Sequence, residues 1–423
     1  MAGLPKPTTV STKQARIAML ARQMPGTALH SLSHHLDLEW LREAYRRTRK
    51  DGAVGVDGET AAAYAANLDE RLQDLLNRVK SGTYRAPPVR RVLIPKGDGS
   101  KTRPIGIPTF EDKVLQRAVA MLMEPNYEQD FYDLSYGFRP GRSAHDALKA
   151  LNEGLHRGGG GWVLDVDISS FFDTLDHAKL RDLLSRRITD GVVQRMVGKW
   201  LRAGVLEGGV VRRSEVGTPQ GGVISPLLAN VYLHEVLDRW WVKEVVPRLC
   251  GPALLVRYAD DFVIIFEEQV DAIRVQAVLA RRFARFGLTL HPEKTRLVRH
   301  RRPPAGPSPT RSESFDFLGF THFWGRSRNG NWVPKRQTSR SRFTRAKKAM
   351  NAWLRRSRHL PLPEQARILS AKLRGYFQYY GIIGNSRAIA RFRHEVVCLW
   401  RKWLCRRSQR GRLTWEKFNQ TLR

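Results

Sequence analysis

The chain has 423 residues, enough for two or three domains at roughly 150 residues each, and its 73 Lys+Arg against 40 Asp+Glu leave a net charge of +33. Three cysteines (Cys250, Cys398, Cys405) exclude a disulfide framework and, without paired spacing to histidines, a zinc site. No apolar run approaches the ~18 residues of a membrane span and the N-terminus lacks the apolar core of a signal peptide, so a soluble intracellular protein with no membrane partner is expected. The charge is concentrated at one end. Residues 321–423 carry 26 Lys+Arg and 3 Asp+Glu, which is +23 of the +33, with 14 Phe, Tyr and Trp interleaved among them. Cations mixed with aromatic rings suit phosphates and bases, so nucleic acid is the expected partner.

In chain order, residues 1–30 are polar and rich in breakers, and disorder is expected there. Helices are predicted over LDLEWLREAYRRTRK from Leu36 and over LDERLQDLLNRVKSG, the latter ending at Gly82. VRRVLIPK and TRPIGIP, separated by Gly97-Asp98-Gly99, read as a basic β-hairpin. A helix follows from Glu111 to Tyr127, and another opens at Ser143-Ala-His-Asp, with Ser143 or its neighbour as the cap. The glycines between His156 and Gly161 read as a flexible joint, since no Lys-Ser/Thr follows to make a phosphate loop. In WVLDVDISSFFDTL a two-residue period puts Asp165 and Asp167 on one strand face and Leu164, Val166 and Ile168 on the other. A GTPQG turn leads into a helix with Ser225 as its expected cap and Pro226 at its first helical position. Ala272–Gly287 reads as helix, 302–314 as a Pro/Ser-rich loop, and FDFLGFTHFW as a short strand or turn. The last hundred residues are expected to form a separate helical unit, with Ile389, Phe392, Val396, Leu399, Trp400 and Trp403 on an apolar face and Arg387, Arg391, Arg401 and Lys402 between them.

The chemistry centres on LLVRYADDFVIIF, residues 254–266, where Asp260 and Asp261 interrupt an apolar run. Adjacent like charges in a water-poor setting resist ionisation unless a cation offsets them. At the tip of a hairpin both carboxylates would be exposed while the flanks anchor the turn. With the Asp165-Val-Asp167 strand beside them in the same sheet, three carboxylates are expected to converge on one face and to suit two Mg²⁺ ions acting in an in-line phosphoryl transfer.

Tyr-Ala-Asp-Asp, the upstream Asp-x-Asp strand ending in Phe-Phe and the GTPQG turn between them resemble the palm of reverse transcriptases. IPKGDGSKTRPIGIPT, YGFRPGRSAHDA, LTLHPEKT and FDFLGF extend the resemblance to the group II intron reverse transcriptase/maturase family, over about residues 30–420. It implies an α+β fold: a right-hand polymerase whose fingers and antiparallel-sheet palm precede an α-helical thumb and maturase domain. Expected boundaries are 1–80 for the N-terminal extension and start of the fingers, 81–162 for the fingers, 163–320 for the palm and 321–423 for the thumb/maturase domain. Carried over residue by residue, it makes Asp167, Asp260 and Asp261 the catalytic carboxylates, with Ile168 beside them in the metal-binding set, and leaves out Asp165, which periodicity alone would include. Two Mg²⁺ ions are the implied cofactor, Mn²⁺ being able to substitute. Phe172 falls at the steric-gate position, implying selection of deoxynucleotides. Lys96 and Arg103 resemble the pair that clamps the incoming triphosphate, Gln220 the residue that contacts nucleotide or template, and Lys294 the palm lysine that assists the leaving pyrophosphate.

The implied partners are group II intron RNA in a ribonucleoprotein, a DNA target, a primer/template duplex and dNTPs, in the cytoplasm of a bacterium and in association with its nucleoid. The implied activity copies RNA into DNA and assists splicing. Many relatives carry an H-N-H endonuclease after the maturase region; the chain stops at Thr421-Leu-Arg with no Cys/His cluster, so it is expected not to cut the second DNA strand. A competing reading keeps the polymerase but recruits it to phage defence, CRISPR adaptation or repair. A splicing cofactor without catalysis is disfavoured by the three aspartates, and an RNA-directed RNA polymerase by Phe172.

Overall fold

The computed structural model describes residues 9–96, 101–207, 210–212, 217, 221–304, 312–408 and 413–421, with the main chain only at Lys96, Lys101, Val210 and Thr421. Two compact units are present, one built mainly from residues up to Leu297, the other from Val298 onward together with Asn152–Val163.

The first unit starts with a helix where disorder was expected. Helix α1 (Val10–Gln23) is capped by the Thr9 hydroxyl, which accepts from Thr12 N at 3.3 Å, and buries Val10, Lys13, Ile17 and Ala21. This face is weak as a sequence signal because one of its four buried positions is a lysine. The Lys13 ammonium is bound by the Asp37 carboxylate, which also caps α2 (Leu38–Arg47) through Trp40 N at 2.9 Å. Further along, Arg187 donates to the carbonyls of Met24 at 3.0 Å and Ala21 at 3.3 Å and to Asp130 at 2.6 Å. Contacts remote in sequence therefore order this segment.

Helices α3 (Ala61–Ala65) and α4 (Leu68–Lys80) follow, α4 burying Leu72, Leu75, Leu76 and Val79 at helical spacing. Strands β1 (Val89–Lys96) and β2 (Lys101–Ile107) are neighbours in a sheet, as the hairpin reading requires; the Gly97-Asp98-Gly99 turn lies outside the described residues. Helix α5 (Phe110–Tyr127) is capped by the Thr109 hydroxyl. Of the two cap positions expected for α6 (Ala144–Gly158), it is Ser143 that serves, in a reciprocal arrangement: Asp146 N donates to its hydroxyl at 3.3 Å and Ser143 N to the Asp146 carboxylate at 2.8 Å.

The glycine run after α6 is not a loose joint. The helix continues to Gly158 and β3 (Gly160–Ser169) begins two residues later. Gly160 has φ +72°, and a Cβ there would lie 2.1 Å from the carbonyl oxygen of His300, so close main-chain packing demands glycine. Helices α7 (Phe171–Thr174), α8 (His177–Ser185) and α9 (Gly191–Leu201) lead to an unanticipated hairpin, β4 (Val205–Glu207) and β5 (Val210–Arg212). β4 runs parallel to β1, giving a sheet of order β2-β1-β4-β5. Helix α10 (Ser225–Leu233) starts one residue earlier than expected, with Ser225 as its first helical residue rather than its cap and Pro226 as its second rather than its first. Strands β6 (Ala253–Tyr258) and β7 (Asp261–Phe266) are followed by α11 (Gln269–Arg285), β8 (Thr289–Leu290) and β9 (Arg296–Arg301). The second sheet has the order β6-β7-β3-β8, and β9 also pairs with β3.

In the second unit FDFLGFTHFW forms strand, as one of its two readings had it, while the expectation of a purely helical unit after it is corrected by a further strand. An antiparallel sheet of β10 (Phe315–Phe317), β11 (Phe320–Arg326) and β12 (Trp332–Thr338) comes first, paired from Phe320↔Thr338 to Arg326↔Trp332. Helices α12 (Arg340–Arg356), α13 (Leu362–Tyr380), α14 (Ser386–Cys405) and α15 (Trp415–Thr421) follow. Their core joins Phe392, Val396, Trp400 and Trp403 of α14, four of the predicted apolar positions, to Met350, Leu354, Leu369 and Phe418. Each such side chain contributes about 1.5–3 kcal/mol when fully buried, which holds the helices together despite their density of charge. The fold is α+β.

Candidate active site

The β6–β7 ladder runs from Ala253↔Phe266 to Tyr258↔Asp261, leaving Ala259 and Asp260 as a two-residue turn. The apolar flanks anchor it: Phe262, Val263, Ile264 and Phe266 are inaccessible to solvent, while Asp261 is exposed and Asp260 half-buried. Ala259 has φ +57°, a conformation that costs a residue with a Cβ about 1–2 kcal/mol. Its surroundings impose that conformation. Gly137 packs so close that a Cβ on it would lie 2.4 Å from Ala259 N, and the Arg257 guanidinium donates to the Ala259 carbonyl at 3.1 Å.

Arg257 was not singled out from the sequence, yet it is fully buried under this turn. It donates to Asp238 at 2.7 and 2.5 Å and to the Asn230 side-chain oxygen at 3.0 Å; Asn230 in turn donates to the Gly137 carbonyl at 2.7 Å. Such a network is recognisable only once α10 and its continuation are seen to pass beneath the hairpin.

Asp167 stands on β3, next to β7 in the sheet. Leu164, Val166 and Ile168 are buried and Asp165 and Asp167 are not, as the two-residue period predicted. The HPEKT segment hangs from Asp167 itself: His291 N donates to the Asp167 carbonyl at 2.8 Å, and the Lys294 ammonium reaches its carboxylate at 2.6 Å. Asp165 is bound by Arg296 at 3.3 Å. The Ile168 side chain is buried, so it could serve a metal only through its carbonyl.

The expectation that three carboxylates converge into one cluster needs correction. Among the described residues no three carboxylate, histidine or cysteine side chains are gathered closely enough to hold an ion. The carboxylates lie on adjacent strands, and Asp167 is drawn to Lys294. The donor chemistry nevertheless fits Mg²⁺, which takes one or two carboxylates and fills its remaining positions with water and substrate phosphate oxygens rather than requiring a closed protein cage.

Around this face, α7 places Phe172 half-buried, its ring 5.2 Å from that of Phe171 and nearly perpendicular to it. Phe171 is buried and packs edge-on to Tyr232 at 6.3 Å, which anchors the pair. Gly217 N donates to the Leu175 carbonyl at 2.8 Å, so one end of the GTPQG segment is tied beside Phe172. At the other end, a Cβ on Gly221 would lie 2.6 Å from the Gly106 carbonyl of β2. Gln220, between these ends, lies outside the described residues. Arg103 is exposed on β2, while Lys96 ends β1 and its side chain lies outside the description.

The sequence also gave no sign of Asp112, a fully buried carboxylate on α5 that accepts from Tyr84 and Trp200, each at 2.6 Å, and from Gln116 at 2.9 Å. Burial pushes its pKa up to about 6, the three donors offsetting only part of the desolvation. The Gln116 oxygen accepts from Ile224 N at 3.3 Å, tying the start of α10 to α5 just after the GTPQG segment.

The second unit has a groove of about 1000 Å³ between α12 and α14. Arg340, Lys347, Lys348, Arg387, Arg391 and Lys402 line it against a single carboxylate, Glu395, which Lys347 binds at 2.6 Å. Phe343 and Leu399 provide apolar wall.

Two carboxylate-bearing strands lie side by side in one sheet, one of them opening from a tight Asp-Asp turn, and oxygen donors of this kind suit metal-assisted nucleotidyl transfer. Residues 94–322 match the family model for reverse transcriptase (RNA-dependent DNA polymerase), and residues 343–420 match that for the group II intron maturase-specific domain. The chain belongs to the reverse transcriptase family, an RNA-directed DNA polymerase with a maturase-specific region in its C-terminal unit. Among its relatives, Protein YkfC of Escherichia coli (strain K12) is 37% identical over 358 residues, which is 76% of this chain and 90% of that one. Group II intron-encoded protein LtrA of Lactococcus lactis subsp. cremoris is 43% identical over 186 residues, 44% of this chain and 30% of the relative. An uncharacterised 91 kDa protein in a cob intron of Schizosaccharomyces pombe is 39% identical over 165 residues, 39% of this chain and 20% of that one. Reverse transcriptases as a family use divalent metal ions. Among the described residues no helix is long and apolar enough to cross a membrane.

Proposed function

We propose that this chain binds a group II intron RNA, promotes its splicing, and copies it into DNA at a target site during retromobility, with Asp167, Asp260 and Asp261 as the catalytic carboxylates. The carrying observation is that β3, which bears Asp167, is the sheet neighbour of β7, which opens at the Asp260–Asp261 turn, in a chain that also bears the maturase-specific region.

In this reading the three aspartates, with the Ile168 carbonyl, would hold two Mg²⁺ ions. When bound, these lower the pKa of the primer 3′-hydroxyl and offset the charge that develops on the leaving oxygen. Lys294 neutralises Asp167 in the resting protein through their 2.6 Å contact and is in place to donate to the departing pyrophosphate. Lys96 and Arg103 hold the triphosphate, the arginine by its forked geometry and the lysine as a point charge. Phe172, fixed by Phe171, occupies the space a 2′-hydroxyl would need, so deoxynucleotides are selected. Gln220 contacts nucleotide or template from the GTPQG segment. The basic groove between α12 and α14 engages RNA phosphates, and its Phe343 wall suits an exposed base. The protein works in the cytoplasm, associated with the nucleoid as a ribonucleoprotein.

RNA recovered with the protein from its host tests this reading. Enrichment of one structured intron is expected. Recovery of unrelated transcripts only would contradict the maturase half and favour a polymerase recruited to another task.

A further inference from the structure

Phe138, in the segment YGFRPGR, is an aromatic side chain held out of the core at a cost. It is 59% exposed, and its φ of +56° lies in the left-handed region that a bulky residue rarely occupies. Both neighbours are locked. Gly137 abuts Ala259 and its carbonyl accepts from Asn230 at 2.7 Å. Arg139 is buried, donating to the carbonyls of Tyr132 and Ser135 at 2.7 and 2.8 Å and pairing with Glu128 at 2.9 Å. The Phe138 ring lies 6.0 Å from that of Tyr258, the residue that opens the Asp-Asp turn, at an interplanar angle of 45°. A strained, exposed ring beside a catalytic turn points to use rather than packing.

Its position indicates which part of the substrate it meets. Residues 134–136 run alongside β6, with Arg257 N donating to the Leu134 carbonyl and Tyr136 N to the Arg257 carbonyl, both at 2.9 Å. Strand β6 is the edge of the sheet, and the order is β6-β7-β3-β8. Phe138 and Tyr258 therefore stand on one side of Asp260 and Asp261, with Asp167 and Lys294 on the other. In-line transfer places the attacking and leaving oxygens on opposite sides of the phosphorus. With the nucleotide and its leaving group on the β3 side, the attacking primer end falls on the β6 side.

We propose that Phe138, backed by Tyr258, is a stacking platform for the base of the primer's 3′-terminal nucleotide. This rests on the reverse transcriptase reading of the site. As a positioning residue it holds the 3′-hydroxyl in line without reading sequence, since every base has a face to stack.

The test uses the full chain and a primer–template duplex with 2-aminopurine at the primer 3′ end, read by fluorescence without turnover. Phe138→Gly removes the ring while accepting the left-handed backbone, so its thermal midpoint should not fall below that of the wild type. Its dissociation constant for the duplex is expected to rise roughly ten-fold, the order of one base–aromatic stack, with loss of the terminal quenching. Phe138→Trp should restore both, and the KM for dNTP should stay the same in all three proteins. A glycine variant that binds and quenches like the wild type, or quenching that follows a label in the template strand instead, would overturn the proposal. Since binding is read without synthesis, a wild type that makes no DNA would count against the polymerase reading and leave this outcome decided on its own terms.

Discussion

Arg257 and Asp238 form an ion pair closed by two hydrogen bonds, at 2.7 and 2.5 Å, with neither side chain accessible to solvent. The pair sits under the Ala259–Asp260 turn, so the rigidity of this hairpin depends on it. Removing one partner leaves an uncompensated buried charge, which costs about 3–5 kcal/mol. Asp238→Ala should therefore lower the urea midpoint markedly, and the double variant Asp238→Ala/Arg257→Ala should lose far less than the sum of the two singles. Additive losses would show that the pair does not act as a unit.

Asp112 predicts a pH dependence. Its folded pKa of about 6 lies above the ordinary carboxylate value of 3.8, so between those limits the folded state holds a proton that the unfolded state has released. Stability therefore falls as pH rises through this window, by up to ~3 kcal/mol from this group. Asp112→Asn removes the titration. The difference in stability between variant and wild type should move in the variant's favour from pH 4 to pH 6.5 and then level off; a difference independent of pH would contradict the assignment.

Phe172 is held edge-on by Phe171 at 5.2 Å, and in its proposed role it would not move aside for a 2′-hydroxyl. Phe172→Ala should raise the ratio of kcat/KM for ribonucleotides to that for deoxynucleotides by roughly 10–100-fold. Single-nucleotide incorporation measures it, and an unchanged ratio would assign the gate to another side chain.

The groove between α12 and α14 binds RNA in this account through phosphates. Arg387→Ala together with Arg391→Ala should weaken RNA binding at low salt and reduce the slope of log K against log salt by about 2. Filter binding across a salt series reads this directly. Equal slopes would place the phosphate contacts elsewhere.

Much of the site was legible because its signals are local. The alternation around Asp167, the hairpin about Asp260 and the apolar period of α14 each follow from a few neighbouring residues. What escaped depends on distant partners. Lys13 is buried only because Asp37 meets it, and Arg257 reads as one charge in a strand until Asp238 and Asn230 are brought beneath it. Gly160 resembled a joint because the His300 carbonyl that requires it lies 140 positions further along the chain. β4 and β5 are three residues each, too short for alternation to register. Strand β12 was hidden by its basic composition, since Lys335 and Arg336 read as part of the helical unit's charge.

The central claim is that Asp260, with Asp167 and Asp261, carries RNA-templated DNA synthesis. Primer extension on an RNA template with dNTPs and Mg²⁺ tests it, with the wild type beside Asp260→Ala. Asp260 is half-buried at a turn, so the variant should keep its thermal midpoint and its affinity for the duplex. The account predicts full-length DNA from the wild type and none from the variant. Absence of product from the wild type, or equal product from both, would contradict it.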